Sequence, residues 1–140
     1  MTTPIPDAVR AVIDAAPLGH LVTLNADGSP HVSIVWVGIE DGELVVGSIG
    51  ARAKLRNVER DPRVTISFEA AGDNGIGMRN YLVVHGRGRV TEGGAPELLQ
   101  QLAYSYVGPG VTFPPMDDPP PGFVLRIAPQ RFGGVGPWAG

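Results

Sequence analysis

The stretch HLVTLNADGSPHVSIVWVGIEDGELVVGSI, from His20 to Ile49, decides the fold. Its apolar residues alternate with polar ones or form short runs, which is typical of β-strands. Two turns interrupt the pattern, at residues 26–29 and 40–43, and each contains an Asp-Gly pair. This pair supplies left-handed backbone at little cost and favours a tight hairpin. The stretch therefore predicts three antiparallel strands joined by short turns.

The rest of the chain adds further strands and short helices. Helices are predicted at Asp7–Ala16, Ala53–Arg60 and Ala95–Tyr106, and strands at Arg63–Glu69, Tyr81–Thr91 and Phe123–Ala128. Gly86 and Gly88, within the fifth strand, indicate a bulge or a tight bend. In a flat sheet of six strands, the backbone N–H and C=O groups along the edge strands would lack hydrogen-bond partners. We therefore expect a small closed barrel of the mainly β (α+β) class.

Residues 107–122 contain six of the 14 prolines of the chain. This segment is too rich in proline for a core element, and we expect an extended surface loop or lid. No internal repeat or domain boundary is evident, so residues 1–140 are predicted to form a single domain.

Composition excludes several classes of function. A net charge of −3 without a long basic run argues against nucleic-acid binding. The absence of cysteine excludes disulfides, thiolate metal sites and a cysteine nucleophile. The histidines, His20, His31 and His85, show no metal-ligand spacing, so no metal is expected. Without a signal peptide or a run of about 20 apolar residues, we expect a cytoplasmic protein that does not bind membranes.

The segment VVGSIGARAKLRNVERDPRV, Val45–Val64, reads as a buried strand, a glycine turn and a short helix. Arg52, Lys54 and Arg56 stand within five positions at its strand-to-helix junction, although the chain has only 11 lysines and arginines. Free N–H groups and the helix dipole favour an anion at such a junction, and cationic side chains add to this. The pattern predicts a phosphate cradle; a solvated helix face paired to acidic residues is the alternative.

A second candidate feature is the predicted strand PHVSIVWVGIE. Alternation places Ser33, Val35 and Val37 on one face and Val32, Ile34 and Trp36 on the other. One face must look into the barrel, and the other can receive a flat ligand or a second subunit. For Trp36, a plain core or dimer contact remains an alternative to a ligand contact. Trp138, in the glycine-rich tail, is expected to dock over a ligand or across a dimer seam.

From Leu21 to Phe68 the chain resembles the flavin/deazaflavin oxidoreductases of the pyridoxamine-phosphate-oxidase-like split-barrel superfamily. The resemblance rests on the order strand, DGSP turn, strand, acidic-glycine turn, strand and then RxKxRNxxxDPR. Within the superfamily, the chain is most similar to the small actinobacterial group of deazaflavin (coenzyme F-420)-dependent enzymes. The resemblance implies a six-stranded antiparallel split β-barrel with short flanking helices. It also implies a homodimer with two cofactor sites at the dimer interface.

The resemblance also implies roles for particular residues. Family members bind the cofactor phosphate through basic residues of the helix after the third strand, which match Arg52 and Lys54, with Arg56 as a third. Preceding strands line the cofactor, and the matching positions are Ser33, Val35, Trp36, Gly47 and Ser48. The C-terminal segment often reaches the cofactor of the partner subunit, which would place Trp138 there.

The implied activity is hydride transfer from a reduced deazaflavin to an electron-poor C=C or C=N bond of a small molecule. The alternatives are an FMN-dependent oxidase or reductase with the same pocket, and a carrier that binds a cofactor without turnover. A haem-binding barrel is a further alternative, but no histidine is placed to favour it. Enzymes acting on pyridoxine-type substrates need arginine and histidine near the C-terminus. This chain ends in RFGGVGPWAG, which offers Arg131 but no histidine.

Overall fold

A computed structural model describes residues 3–139, which form three helices and seven strands. In chain order the elements are α1 (Asp7–Asp14), β1 (Gly19–Leu24), β2 (Pro30–Val35), β3 (Gly38–Glu40), β4 (Glu43–Ser48), α2 (Ala53–Arg60), β5 (Arg63–Asp73), β6 (Arg79–Glu92), α3 (Ala95–Tyr106) and β7 (Phe123–Val135). The second and third helices have their predicted bounds. The first helix ends two residues earlier than predicted, and Ala16 beyond it has a positive φ of 59°.

Both predicted turns are present, and their backbone explains their sequences. Between β3 and β4, Asp41 and Gly42 have φ values of 53° and 76°. Positive φ at both central residues is the geometry of a type I′ hairpin turn, for which Asp-Gly is favoured. Between β1 and β2, Gly28 has a φ of 86°, and the Asp27 carboxylate accepts the Ser29 N–H at 2.9 Å.

The strands form one antiparallel sheet in the order β2-β1-β5-β6-β7-β4-β3. The predicted strand Pro30–Glu40 is divided at Trp36 and Val37, so that the sheet has seven strands where the sequence predicted six. The reason is that β2 pairs with β1 while β3 pairs with β4, at the two ends of the sheet order. The chain must bend between β2 and β3 so that each strand reaches its own partner. This bend joins the two ends of the sheet order and closes the barrel.

The barrel interior is filled by apolar side chains of all its long strands, with Leu21, Leu44, Ile66, Phe68 and Leu125 among the most buried. Helix α2 packs on this barrel at a glycine of β6. A Cβ on Gly88 would lie 2.8 Å from Cγ1 of Val58, so only glycine lets α2 approach so closely. The predicted irregularity at Gly86 is confirmed, because the register between β6 and β7 shifts between His85 and Gly86.

The structure confirms the mainly β class, with three short helices flanking the barrel. Between Tyr106 and Phe123 the described chain contains neither helix nor strand, and this is the proline-rich segment. No helix within residues 3–139 has the length and apolarity that crossing a membrane would require.

Candidate functional site

A cleft of about 200 Å³ lies where the end of β2 meets β4, α2, α3 and the proline-rich segment. Its lining residues are Ile34, Val35, Trp36, Val46, Gly47, Lys54, Leu99 and Phe113. Four of these, Val35, Trp36, Gly47 and Lys54, belong to the set predicted from the sequence. The cationic start of α2 and the strand β2 were two separate predictions from the sequence. In the structure they meet at this one cleft.

Aromatic rings form one wall of the cleft. Trp36 stacks on Tyr106 with ring centroids 5.6 Å apart and an interplanar angle of 17°. Phe113 approaches the same indole at 5.1 Å and 58°. Its backbone N–H donates to the side-chain carbonyl of Gln100 at 3.1 Å, which ties the proline-rich segment to α3. The wall is therefore held in place by two elements remote from β2 in sequence.

Lys54 supplies the positive charge of the cleft. Its side chain is half-buried, and it makes no hydrogen bond or ion pair with any residue in the range 3–139. Burial, and then the neighbouring charge of Arg52, lower the pKa of the Lys54 ammonium. An anion in the cleft would relieve both effects, because it would compensate the buried charge.

The predicted alternative for this helix was pairing of its basic residues with acidic ones. Asp61 instead binds Arg63, with the carboxylate oxygen 2.7 Å from the guanidinium. This partner lowers the pKa of Asp61 to about 2. Within the described chain, Glu59 forms no ion pair with Arg52, Lys54 or Arg56. The positive charge at the start of α2 is thus left available to a ligand.

A buried amide fixes the rotation of α2 and so the direction of Lys54. Asn57 is only 5% exposed, and its Nδ2 donates to Thr23 Oγ1 at 3.1 Å and to Asn25 Oδ1 at 3.0 Å. Its own Oδ1 accepts a hydrogen bond from Arg60 at 2.8 Å. Because a buried amide must satisfy its polar atoms, this network holds the helix in one orientation on β1.

Gly47 lies in β4 where α3 crosses the strand. A Cβ at this position would lie 3.0 Å from Cγ of Leu99, a tight contact that the leucine would have to relieve. The glycine therefore lets Leu99 of α3 pack close to the backbone of β4 at the edge of the cleft.

The remaining predicted residues lie around the cleft or away from it. Ser48 is buried and donates its hydroxyl proton to the carbonyl of Gly50 at 2.6 Å, which shapes the turn into α2. Arg52 is the exposed residue immediately before α2, and Arg56 donates to the carbonyl of Ala51 at 3.0 Å. Ser33 lies on β2 opposite Leu21, and its buried hydroxyl has no hydrogen-bond partner among residues 3–139.

Trp138 is not among the residues that line this cleft. Its Nε1 donates to the carbonyl of Tyr81 at 3.1 Å, and its ring packs against the barrel core beside α1. The indole therefore packs against its own subunit. Its predicted contact with the cofactor of a partner subunit stays a prediction.

Leu99 and Phe113 line the cleft although the sequence analysis did not select them. Leu99 lies on α3, which the sequence predicted as a helix without a role in the site. Phe113 is the one aromatic residue of the segment 107–122. An isolated aromatic ring in a proline-rich loop needs a partner to be shielded from water, and that signal could have pointed to it.

The fold and the site define a small antiparallel β-barrel protein with a cationic, aromatic-walled cleft between a strand and a helix. The chain belongs to the pyridoxamine 5'-phosphate oxidase family, which matches residues 5–136. This confirms the superfamily that the segment Leu21–Phe68 resembles.

Solved structures share the fold. An F420 reductase is similar with a TM-score of 0.73 and 23% identity, over 92% of this chain and 98% of that chain. A conserved hypothetical protein from Mycobacterium tuberculosis has a TM-score of 0.71 and 23% identity, over 95% of this chain and 85% of that one. A heme binding protein from Mycobacterium smegmatis has a TM-score of 0.63 and 23% identity, over 91% and 52%.

The residues of the cleft fit a flavin-type cofactor of the kind this family implies. Lys54 suits a phosphate, and the Trp36 wall suits a planar ring. The cleft of about 200 Å³ is smaller than the roughly 300–1,000 Å³ of ordinary small-molecule sites.

Proposed function

We propose that this protein is a deazaflavin (coenzyme F-420)-dependent oxidoreductase that reduces an electron-poor C=C or C=N bond of a small molecule. The observation that carries the proposal is Lys54, a half-buried cation without a partner in the described chain, beside an aromatic wall. The fold shared with an F420 reductase supports the choice of cofactor. A bound deazaflavin supplies two-electron hydride chemistry, and the protein supplies binding and orientation.

Each part of the cleft has a role in this proposal. Lys54, with Arg52 at the start of α2, binds the phosphate through charge-assisted hydrogen bonds and the helix N-terminus. Trp36 orients the ring, because Tyr106 and Phe113 prevent the indole from moving. Gly47 lets Leu99 of α3 approach β4 and so form one side of the cleft. In the described part of the chain no carboxylic acid or histidine lines the cleft, so we assign protonation of the product to solvent.

We further propose that a second copy of the chain completes the site. Val32 and Ile34 on the outer side of β2 are 59% and 54% exposed, and Ile34 also lines the cleft. Exposed apolar side chains in a row on one strand are typical of an interface. A partner seated on β2 would cover them and would add the surface that the small cleft lacks.

The second candidate is an FMN-dependent oxidase or reductase, and the family to which the chain belongs favours it. A phosphate bound by Lys54 and a ring beside Trp36 would serve FMN equally well. A carrier without turnover is the third candidate, since a heme binding protein shares the fold. The three differ in which cofactor binds and in whether a bound cofactor reacts.

The test is equilibrium binding of the purified protein to oxidised F-420 and to FMN in parallel, followed by turnover of reduced F-420. We expect tighter binding of F-420 by at least about tenfold, and oxidation of reduced F-420 by menadione or 2-cyclohexen-1-one. Tighter binding of FMN would select the FMN enzyme. Tight binding of F-420 without oxidation by any acceptor would select the carrier, and binding of neither would refute the site.

A further inference from the structure

A second, larger groove of about 410 Å³ lies on the sheet and shares no lining residue with the Lys54 cleft. It crosses four adjacent strands in the order β1, β5, β6 and β7. We propose that this groove binds a small aromatic carboxylate, with the carboxylate at His85 and Arg131 and the ring over Val22 and Leu24. The proposal does not depend on the cofactor assigned to the cleft.

A β-bulge builds the polar end of the groove. His85 pairs with Arg131 and Gly86 pairs with Pro129, so that Gln130 is an extra residue on β7. A bulge directs two consecutive side chains to one face, and here both Gln130 and Arg131 line the groove. The bulge also requires glycine opposite it, because a Cβ on Gly86 would lie 2.5 Å from the carbonyl oxygen of Ala128.

The bulge is held by contacts outside the sheet. The backbone N–H of Thr3 donates to the carbonyl of Pro129 at 2.7 Å, and its hydroxyl donates to the carbonyl of Gln130 at 2.8 Å. The N-terminal segment thereby supplies a hydrogen-bond donor to each of these two carbonyls at the bulge. A bulge supported in this way is a defined part of the fold, and bulges are frequent where a strand must aim side chains at a ligand.

Arg131 is the cation available to an acid in this groove. It forms no ion pair with any residue in the range 3–139, whereas Arg63, which also lines the groove, donates to both carboxylate oxygens of Asp61 at 3.1 and 2.7 Å. No aspartate or glutamate lines the groove to compete for the guanidinium. A guanidinium binds a carboxylate through two parallel hydrogen bonds, which favours this anion.

His85 adds a neutral donor beside Arg131. Its Nδ1 lies 3.1 Å from the hydroxyl of Thr65. Burial, and then the charge of Arg131, lower the pKa of the His85 ring, which favours its neutral form. A neutral ring whose Nδ1 accepts the Thr65 proton carries its own proton on Nε2 and can donate it to the same carboxylate.

The opposite end of the groove is apolar. Val22 and Leu24 on β1 are half-buried side chains, three strand spacings from β7. At about 4.8 Å for each spacing, His85 on β6, two strands from β1, lies about 10 Å from this apolar end. A ligand with a carboxylate at one end and an apolar ring at the other matches the change from polar to apolar lining along the groove. The volume of the groove falls within the roughly 300–1,000 Å³ of small-molecule sites, which suits a bicyclic acid.

The experiment is calorimetric titration of the full chain with 2-naphthoate, and with 2-naphthalenemethanol as the uncharged control. We expect the alcohol to bind at least about tenfold more weakly, because it cannot pair with the guanidinium. Arg131→Gln should weaken naphthoate binding by about tenfold or more. Arg63→Gln is the matched control, and it should change the affinity by less than about threefold, because Asp61 already occupies that guanidinium.

A second measurement keeps the test decisive if Arg131→Gln fails to fold. In the wild-type protein, naphthoate should shift the imidazole NMR signals of His85 and leave those of His31 unchanged. Equal binding of acid and alcohol, unchanged affinity in a folded Arg131→Gln variant, or unshifted His85 signals would each overturn the proposal. Lys54→Ala should bind naphthoate as the wild type does, so loss of cofactor binding and failure of this groove are separable.

Discussion

The hydroxyl of Tyr106 accepts a hydrogen bond from the backbone N–H of Val37 at 3.0 Å. The same hydroxyl donates its proton to the carbonyl of Pro17 at 2.7 Å. Val37 lies in the bend between β2 and β3, where the N–H has no strand neighbour to accept it. The ring of Tyr106 also stacks on Trp36. The last residue of α3 therefore stabilises both the closure of the barrel and the wall of the candidate site.

Tyr106→Phe should lower the free energy of unfolding by about 1–3 kcal/mol, because the Val37 N–H would lose its acceptor in a half-buried place. Urea denaturation followed by circular dichroism measures this change. Tyr104→Phe is the matched control, since Tyr104 is 64% exposed and should be within about 0.5 kcal/mol of the wild type. Equal stability of the two variants would show that the hydroxyl does not hold the bend.

Lys54→Ala should weaken binding of the proposed cofactor by about 1–3 kcal/mol, the contribution of one charge-assisted hydrogen bond to phosphate. Arg52→Ala should weaken it less, because Arg52 is exposed and its charge is screened. Fluorescence titration with F-420 and with FMN measures both. Arg10→Ala, an exposed arginine on α1, controls for the loss of one positive charge. If all three variants bind alike, Lys54 does not hold the phosphate.

Gly47→Ala should destabilise the protein by about 1–3 kcal/mol, because the new methyl group would press on Leu99. In a Leu99→Ala background the same substitution should cost less, since the contact is gone. Thermal denaturation of the four proteins of this cycle measures the coupling. Gly133→Ala is the control, because a Cβ there would meet no atom within 4 Å. Additive effects of the two substitutions would contradict a direct contact between Gly47 and Leu99.

The pKa of His85 should lie below its usual value of 6.5, with burial as the larger cause and the charge of Arg131 as the smaller. Titration of the ring signals by NMR measures it. Arg131→Gln should raise this pKa only part of the way to 6.5, because burial remains.

The lowered pKa of His85 also sets a pH dependence of stability. Between the lowered pKa and 6.5, the unfolded chain binds more protons than the folded one. The contribution of His85 to stability is therefore present above 6.5 and is lost as the pH falls through this window. His85→Gln should remove this component from the pH profile of unfolding, and an unchanged profile would contradict the shift.

If the homodimer forms through β2, a charged side chain introduced on this strand should weaken dimerisation. Val32→Lys should shift the protein toward monomer in light scattering, because an unpaired ammonium would be buried at the interface. Ile76→Lys is the control, since Ile76 is 87% exposed in the loop between β5 and β6 and lies outside the proposed interface. A wild-type monomer at micromolar concentration, or a dimeric Val32→Lys variant, would contradict this interface.

Several features of the fold are set by local backbone preferences, which depend only on residues adjacent in the sequence. Asp41 and Gly42 specify the hairpin between β3 and β4, because their backbone preference is local. Asp61 and Pro62 end α2 where predicted, since a residue before proline avoids helical backbone. The alternation along β2 likewise put Val35 and Val32 on opposite faces, and the structure shows Val35 buried and Val32 exposed. Such preferences are readable from the sequence.

The sequence by itself determined the barrel class, the helices α2 and α3, and four residues that line the candidate site, namely Val35, Trp36, Gly47 and Lys54. Only the tertiary structure decided the strand break beside Val37, whose hydrogen-bond partner Tyr106 is 69 positions away. It also brought Phe113 to Trp36 and directed Lys54, rather than Arg52, into the cleft. The physical reason is that these arrangements depend on contacts between distant segments, which no local preference of the backbone encodes.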